Sequence, residues 1–166
     1  MMPKQAIQII VRPPITPDQL FAFYLGNDIC EAGFGKEVAA RVLGRSSLIV
    51  GAFEGDRLVG IVRAMFDGLS AEIVDFCLAL EYQGEGLQFA NGSLIESDPT
   101  GLGKRLGETA VRELLAMGAS FISTTALADV EESFYRSLGF RLNEGSVEYI
   151  IDRRPYVTGD KPEGMA

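Results

Sequence analysis

Histidine and tryptophan are both missing from the 166-residue sequence, and cysteine occurs only twice. Without histidine, Ser-His-Asp or Cys-His catalysis and histidine metal sites are excluded, so carboxylates, tyrosine, lysine or water have to move protons. Two cysteines, Cys30 and Cys77, are too few for a disulfide framework or a four-cysteine zinc site. Both lie in apolar sequence, which is typical of buried, reduced thiols. The sequence therefore predicts no metal site.

Positive charge is scarce as well: 15 Lys and Arg residues stand against 23 Asp and Glu residues, for a net charge of -8. Nucleic acids and anionic membranes are bound through clustered Lys and Arg, so neither is an expected partner. No stretch approaches the ~20 uninterrupted apolar residues of a membrane helix, and the first residues do not have the pattern of a secretory leader. We expect a cytoplasmic protein. A small anion is still a permitted ligand, because backbone N–H groups bind phosphate whatever the overall charge.

The apolar pattern predicts a single domain over residues 1–156, followed by a polar tail at 157–166. Its order of strands and helices predicts a mixed α/β sheet with helices on both faces. The predicted strands cover 6–11, 47–54, 57–66, 71–80, 120–128 and 146–152, and the predicted helices cover about 17–29, 36–43, 102–117 and 130–138.

Two of these elements have specific local signals. Thr16, Pro17 and Gln19 form a capping box with proline at the first helical position, which predicts a helix start. Gly55-Asp56 separates two runs rich in β-branched residues, which predicts an antiparallel hairpin.

Two glycine-rich turns follow the predicted strand at 71–80: QGEGL at 83–87 and TGLGK at 100–104. Further downstream stands FYRSLGF at 134–140. This succession resembles the GCN5-related N-acetyltransferase (GNAT) superfamily over about residues 47–142. The resemblance implies a mixed, mostly antiparallel central sheet with helices on both faces. It also implies an enzyme that transfers acetyl from acetyl-CoA to an amine.

In GNAT proteins a single turn, Q/R-x-x-G-x-G/A, holds the CoA pyrophosphate at a helix N-terminus, whereas here the turn is split by an inserted segment at about 88–102. The first part keeps Gln83 and Gly86, and the second keeps both glycines but has Asp98 where Gln or Arg is usual. The helix begins after Gly101, so its dipole and unsatisfied N–H groups favour the second part as the phosphate site. The expected pyrophosphate-binding residues are Gly101, Leu102, Gly103, Lys104 and Arg105. As an alternative, Asp98 caps the helix.

The resemblance assigns further roles at the end of the strand at 71–80. Main-chain groups of Leu78, Ala79 and Leu80 are expected to bind the acetyl carbonyl and the pantetheine arm. Tyr135, the tyrosine of FYRSLGF, is the expected general acid that protonates the departing thiolate. The alternative is that Tyr135 only packs its helix against the sheet.

For the general base the resemblance points to Glu72, which matches a glutamate of the histone-acetylating branch, and Asp75 is a second candidate. Regular alternation predicts that Glu72 shares a face with Val74 and Phe76, while Asp75 lies opposite with Ile73 and Cys77. A water-relayed proton transfer is the remaining alternative.

These observations predict an acetyl-CoA-dependent N-acetyltransferase that uses direct attack of an amine on the thioester. The expected acceptor is an amine of a small molecule or peptide, and a homodimer is left open. The alternative function is a catalytically idle acyl-CoA-binding or protein-interaction module on the same fold, because fold alone does not fix function.

Overall fold

The computed structural model describes residues 5–30 and 35–153. Within them the strands form one sheet of five strands in the order β1-β2-β3-β4-β5. The first four strands are antiparallel to their neighbours, and β5 is parallel to β4. The predicted mixed, mostly antiparallel sheet is confirmed. The bounds are β1 Ile7–Val11, α1 Pro17–Gly26, α2 Lys36–Arg45, β2 Leu48–Glu54, β3 Arg57–Phe66, β4 Ser70–Leu78, α3 Leu80–Gln83, α4 Leu102–Ala116, β5 Phe121–Thr124 and α5 Glu132–Ser137.

The two local signals act as predicted. The Thr16 hydroxyl accepts the N–H of Gln19, and the Gln19 side chain accepts the N–H of Thr16, which completes the capping box of α1. Helix α1 ends at Gly26, before the predicted residue 29. Strands β2 and β3 form the predicted hairpin, and Gly55 at its turn has φ of +61°, a conformation that favours glycine.

Helices lie on both faces of the sheet, as predicted. On one face Tyr24 of α1 donates a hydrogen bond to Asp75 of β4. On the other face Leu106 of α4 lies so close to Gly60 of β3 that an added Cβ would be 3.0 Å from its Cδ2. Helices α1 and α4 therefore cover opposite faces of the sheet. The residues of its central strands β3 and β4 are mostly apolar on both faces.

A β-bulge at Val74 changes which side chains of β4 share a face. Asp75 pairs with Arg63 of β3, but the next β3 residue pairs with Ile73, so Val74 is the extra residue. Because directly paired residues point to the same face, Glu72 and Asp75 both lie on the α1 face with Cys77. The prediction that Glu72 and Asp75 face opposite ways is wrong, because regular alternation does not hold across a bulge.

The C-terminal part of the described chain also departs from the prediction. Residues 146–152 were expected to form a strand, but residues 141–153 contain no strand. Strand β5 is short and pairs only with β4, and residues 146–152 form no hydrogen-bonded ladder with it. Alternating apolar residues do not form a strand without such pairing. The predicted polar tail at 157–166 lies outside the described residues.

Among residues 5–30 and 35–153, no helix has the length and apolar character to span a bilayer.

Candidate functional site

Strands β4 and β5 run side by side for only four residue pairs and then separate. The last pair is Ile73 with Thr124, where β5 ends, while β4 continues to Leu78. Beyond this pair, no strand of residues 5–30 and 35–153 lies beside the edge of β4 that faces away from β3. The sheet therefore opens into a gap between the second half of β4 and the chain that follows β5.

The main-chain donors predicted at the end of β4 all have partners within the chain. Leu78 donates its N–H to the carbonyl oxygen of Gly92 at 2.9 Å. Ala79 donates to Val59 of β3 at 2.8 Å, and Leu80 donates to Oδ1 of Asn27, after α1, at 3.0 Å. Because Ala79 faces β3, only Leu78 and Leu80 can offer donors outside the sheet.

The N-terminus of α4 is likewise satisfied by the chain. Its N-cap, Gly101, has φ of +72°, and the next residues direct their N–H groups toward the preceding loop. The Asp98 carboxylate accepts two of them, from Gly103 and Lys104, each at 2.8 Å. Leu102 donates to Thr100 Oγ1 at 3.4 Å. Asp98 thus caps the helix with its negative charge at the positive end of the dipole, although the N-cap residue itself is Gly101.

Arg105, the last of the predicted pyrophosphate residues, is already within the helical hydrogen-bond pattern. Its N–H donates to the Gly101 carbonyl oxygen at 3.1 Å. The Lys104 ammonium lies 3.9 Å from the Glu108 carboxylate, in an exposed pair. The free backbone donors of a helix are confined to its first turn, so Arg105 contributes less to an anion site than Gly103 or Lys104.

The middle of the inserted segment lies buried in the gap. Ile95 is 1% exposed, Leu94 6% and Asn91 4%. The Ile95 N–H donates at 2.7 Å to Glu131, whose buried carboxylate also accepts the N–H of Leu127 at 2.9 Å. The Asn91 amide donates to the Asp28 carbonyl oxygen at 2.6 Å. The segment therefore packs between α1 and the chain before α5.

Gln83 joins the end of β4 to the inserted segment. Its side chain is 1% exposed, donates Nε2–H to the Leu78 carbonyl oxygen at 3.1 Å and accepts the Glu96 N–H at 3.0 Å. Sequence reasoning identified Gln83 only as part of a glycine turn, and it assigned no role to Asn27 or Glu131. The one available signal was the polar Gln83 directly after an apolar strand.

Tyr135 lies near the point where β4 and β5 separate. Its ring packs edge-on against Phe76, Phe134 and Phe140, and its side chain lies beside Thr124, the last paired residue of β5. Burial, and then the nearby negative charge of Glu131, raise the pKa of Tyr135. The raised pKa makes this phenol a weaker acid than an exposed tyrosine.

The two candidate bases have different surroundings. Asp75 accepts a hydrogen bond from Arg63 Nε at 3.0 Å, another from Tyr24, and a third from the Cys77 thiol at 2.8 Å. Burial, followed by the charge of Asp75, raises the pKa of Tyr24 well above its ordinary value. Glu72 is exposed and pairs across the parallel ladder with Ser123. Asp75 is thus engaged in a buried network, whereas Glu72 is accessible.

The solved structures that resemble this chain include acetyltransferases. A GNAT-family acetyltransferase from Streptococcus pneumoniae has a TM-score of 0.63 and 21% sequence identity, over 90% of this chain and 100% of that one. Glucosamine-6-phosphate N-acetyltransferase from Arabidopsis thaliana has a TM-score of 0.62 and 14% sequence identity, over 89% of this chain and 100% of that one. The chain has the GNAT fold. An aminoglycoside acetyltransferase from an uncultured soil metagenomic sample, in complex with trehalose, has a TM-score of 0.61 and 17% sequence identity. The match covers 89% of this chain and 97% of that one.

The resemblance seen in the sequence is therefore confirmed at the level of the fold. Comparison with protein-family models gives no match, and a search of curated proteins finds none that matches.

Acetyl-CoA does not fit this conformation of the GNAT fold. The donors predicted to bind it are the N–H groups of residues 78–80 and 101–105, and each already bonds to another group of the chain. Ile95, in the same inserted segment, is buried in the hydrophobic core. An acetyl-CoA bound through these N–H groups would have to displace their present partners.

A separate groove of about 530 Å³ reaches the end of β4 from the α1 face. Phe23 of α1, Leu58 of β3 and Leu80 form its apolar part, and Arg57 and Glu81 stand among its charged residues. Arg57 is ion-paired with both Glu54 and Glu81. The groove has room for a small molecule and shares Leu80 with the predicted acetyl site.

Proposed function

We propose that the chain is an acetyl-CoA-dependent N-acetyltransferase that transfers acetyl to an amine of a small molecule or peptide. One observation carries the proposal: in a GNAT fold, the sheet opens beside β4 with the Leu78 N–H directed into the gap. The N-terminus of α4 lies close enough for the same inserted segment to bond to both. The Leu78 N–H suits a carbonyl oxygen, and the N–H groups at the N-terminus of α4 suit a phosphate.

The proposal gives separate tasks to Tyr135 and Glu72. Tyr135 is the proposed proton donor, because its ring packs against Phe76 of β4, beyond the last residue pair of β4 and β5. Glu72, exposed at the same diverging strands, is the base that receives a proton from the incoming amine, directly or through water. Asp75 instead holds Arg63 and Tyr24 in place, so we assign it no proton transfer.

A small polar amine is the acceptor class that we favour. Structural neighbours include enzymes named for glucosamine-6-phosphate and for aminoglycosides, which are amines of this kind. The groove beside Leu80 is lined by two acidic residues, Asp56 and the Arg57-paired Glu81, next to an apolar wall formed by Phe23 and Leu58. A cytoplasmic location remains a prediction from the sequence, and a homodimer remains open.

The proposal is tested by release of free thiol from acetyl-CoA. The purified full chain is incubated with acetyl-CoA and a panel of amines: an aminoglycoside, an amino sugar phosphate, a polyamine and a lysine-containing peptide. We expect amine-dependent thiol release, with an acetylated amine of matching mass, for at least one class. Acetyl-CoA that stays intact across the panel, in a folded chain shown to bind it, would contradict the proposal.

The second candidate is an idle acyl-CoA-binding or protein-interaction module. The observation that favours it is the filled gap, where Gly92, Ile95 and Asp98 take the positions expected for a cofactor. An idle module would bind acetyl-CoA without turnover, or bind none even after the inserted segment is displaced. The thiol-release assay and a direct binding titration together distinguish the two candidates.

A further inference from the structure

The inserted segment makes the same kinds of contact at the two ends of the gap that a CoA molecule would make. At the end of β4, the Gly92 carbonyl oxygen accepts the Leu78 N–H at 2.9 Å, as an amide oxygen of a pantetheine arm could. At α4, the Asp98 carboxylate accepts the N–H groups of Gly103 and Lys104. We propose that the inserted segment is an internal competitor of acetyl-CoA, which closes the site and must be displaced before the cofactor binds. This inference rests on the proposed function.

Asp98 is a chemical substitute for a phosphate in this position. Its two oxygens accept from two successive N–H groups, each at 2.8 Å, and its charge lies at the positive end of the α4 dipole. A pyrophosphate needs the same donors and carries charge of the same sign. Both anions cannot occupy one helix N-terminus, because they would compete for the hydrogen bonds and repel each other.

Gly92 lies at a position with no room for a side chain. An added Cβ at Gly92 would lie 2.9 Å from Asn27 Cβ and 3.2 Å from the Asn27 carbonyl oxygen. The Gly92 N–H also donates to that carbonyl oxygen, at 2.8 Å. Asn27 therefore bonds to both Gly92 and Leu80, which holds the turn at Gly92 between the end of α1 and the end of β4.

The remaining contacts hold the segment in the gap without involving the cofactor donors. Ile95 contributes the apolar burial, and Glu131 binds the Ile95 N–H. Glu96 accepts the N–H groups of residues 88–90 and so stabilises the turn of the segment itself. Asp98 is therefore the group that competes with the cofactor for hydrogen bonds, whereas Glu131 anchors the segment without occupying a cofactor donor.

The segment is attached at both ends through glycines with positive φ. Gly86 has φ of +74° and Gly101 has φ of +72°, and a Cβ added to either would meet nothing within 4 Å. Such residues permit a change of backbone direction with little steric hindrance. Displacement of the segment would therefore meet the least steric resistance at these two glycines.

The test compares the parent chain with Asp98→Ala and Asp98→Ser, the latter keeping a hydroxyl that can cap α4 without charge. Asp67→Ala is the matched control, because the Asp67 carboxylate likewise accepts two N–H groups, from Leu69 and Ser70, at the opposite end of β4. Acetyl-CoA and inorganic pyrophosphate are titrated into each folded chain by calorimetry. Thiol release is measured in parallel.

We expect both Asp98 variants to bind acetyl-CoA and pyrophosphate at least about tenfold more tightly than the parent, since a charge-assisted competitor has been removed. Asp67→Ala should bind as the parent does. Equal affinities of the parent and a folded Asp98→Ser chain, or no binding by either, would overturn the inference. Tighter pyrophosphate binding without acetylation of any amine would leave the inference standing and count against the proposed function instead.

Discussion

The carbonyl oxygen of Gly92 accepts the N–H of Leu78, at the point where β4 has lost β5 as a neighbour. Through this hydrogen bond, the main chain of the inserted segment takes the place of a neighbouring strand at one residue of the open edge of β4. A buried N–H without a partner destabilises a fold by roughly 1–3 kcal/mol, so the gap is stable only when something accepts this bond. The chain supplies that acceptor itself, and a bound thioester or amide could supply it instead.

Glu131 should be important for stability because its carboxylate is buried and accepts two backbone N–H groups, from Ile95 and Leu127. Glu131→Gln removes the charge and one acceptor, and we expect a loss of about 1–3 kcal/mol in the free energy of unfolding. The neighbouring Glu132→Gln, which affects only an exposed pair with Arg136, is the matched control. Urea unfolding of the two variants checks this, and equal midpoints would contradict it.

Loss of charge should change the free energy of unfolding much more at Asp75 than at Glu72. Asp75→Asn leaves the largely buried Arg63 without its anionic partner, so we expect a destabilisation of roughly 3 kcal/mol. Glu72→Gln should change stability by less than about 0.5 kcal/mol, since Glu72 is exposed.

If Glu72 is the base, its variant should lower kcat by about 10²- to 10⁴-fold in the acetylation assay. A stable Glu72→Gln chain with unchanged kcat would leave water as the proton acceptor.

Tyr135→Phe keeps the ring contacts with Phe76 and Phe140 and removes only the hydroxyl. We expect turnover to fall by roughly 10- to 1,000-fold while acetyl-CoA affinity changes little, as for loss of one general acid. Tyr24→Phe is a suitable comparison because it also removes a buried phenol, but one bonded to Asp75 on the α1 face. Similar turnover in the parent and Tyr135→Phe chains would assign Tyr135 to packing alone.

Stability should decline in alkaline solution. Burial raises the pKa of Tyr24 well above 10.0 and the pKa of Cys30 from 9.0 to about 11. Below the unfolded-state pKa of each group both states hold the proton, so stability is fully present. Above it the unfolded chain releases the proton while the folded chain keeps it, and stability falls by up to ~1.4 kcal/mol per pH unit for each group.

The expected window begins near pH 9 for Cys30 and near pH 10 for Tyr24. Urea unfolding between pH 7 and 10.5 measures the slope, which Tyr24→Phe should reduce above pH 10. Tyr149→Phe serves as control, since Tyr149 is 91% exposed. A slope that Tyr24→Phe leaves unaltered would contradict the assignment.

Much of the fold could be predicted because its signals are local. The capping box of Thr16 and Gln19 and the Gly55-Asp56 turn involve residues close in sequence, and both form as expected. The bulge at Val74 could not be predicted, since it depends on how β4 pairs with β3. The missing strand at 146–152 has a similar cause: its alternating pattern gives a preference, but a strand forms only beside another strand.

The candidate site was predicted in its parts but not in its arrangement. Capping of the helix by Asp98 was an alternative interpretation of the sequence, and the main-chain donor role of Leu78 was implied by the GNAT resemblance. The sequence does not indicate that Gly92 and Asp98 occupy both ends of the same gap, because those contacts join residues brought together only by the packing of Ile95 and Glu131. Long-range contacts of this kind leave no periodic pattern in the sequence.

Site-resolved amide NMR of the labelled full chain, recorded with and without acetyl-CoA, tests the central claim most directly. The account predicts shifts in the amide signals of Leu78, Gly103 and Lys104, together with faster hydrogen exchange at Gly92 and Ile95 as the inserted segment leaves the gap. The contradicting result is saturation with acetyl-CoA that leaves these five amides unchanged.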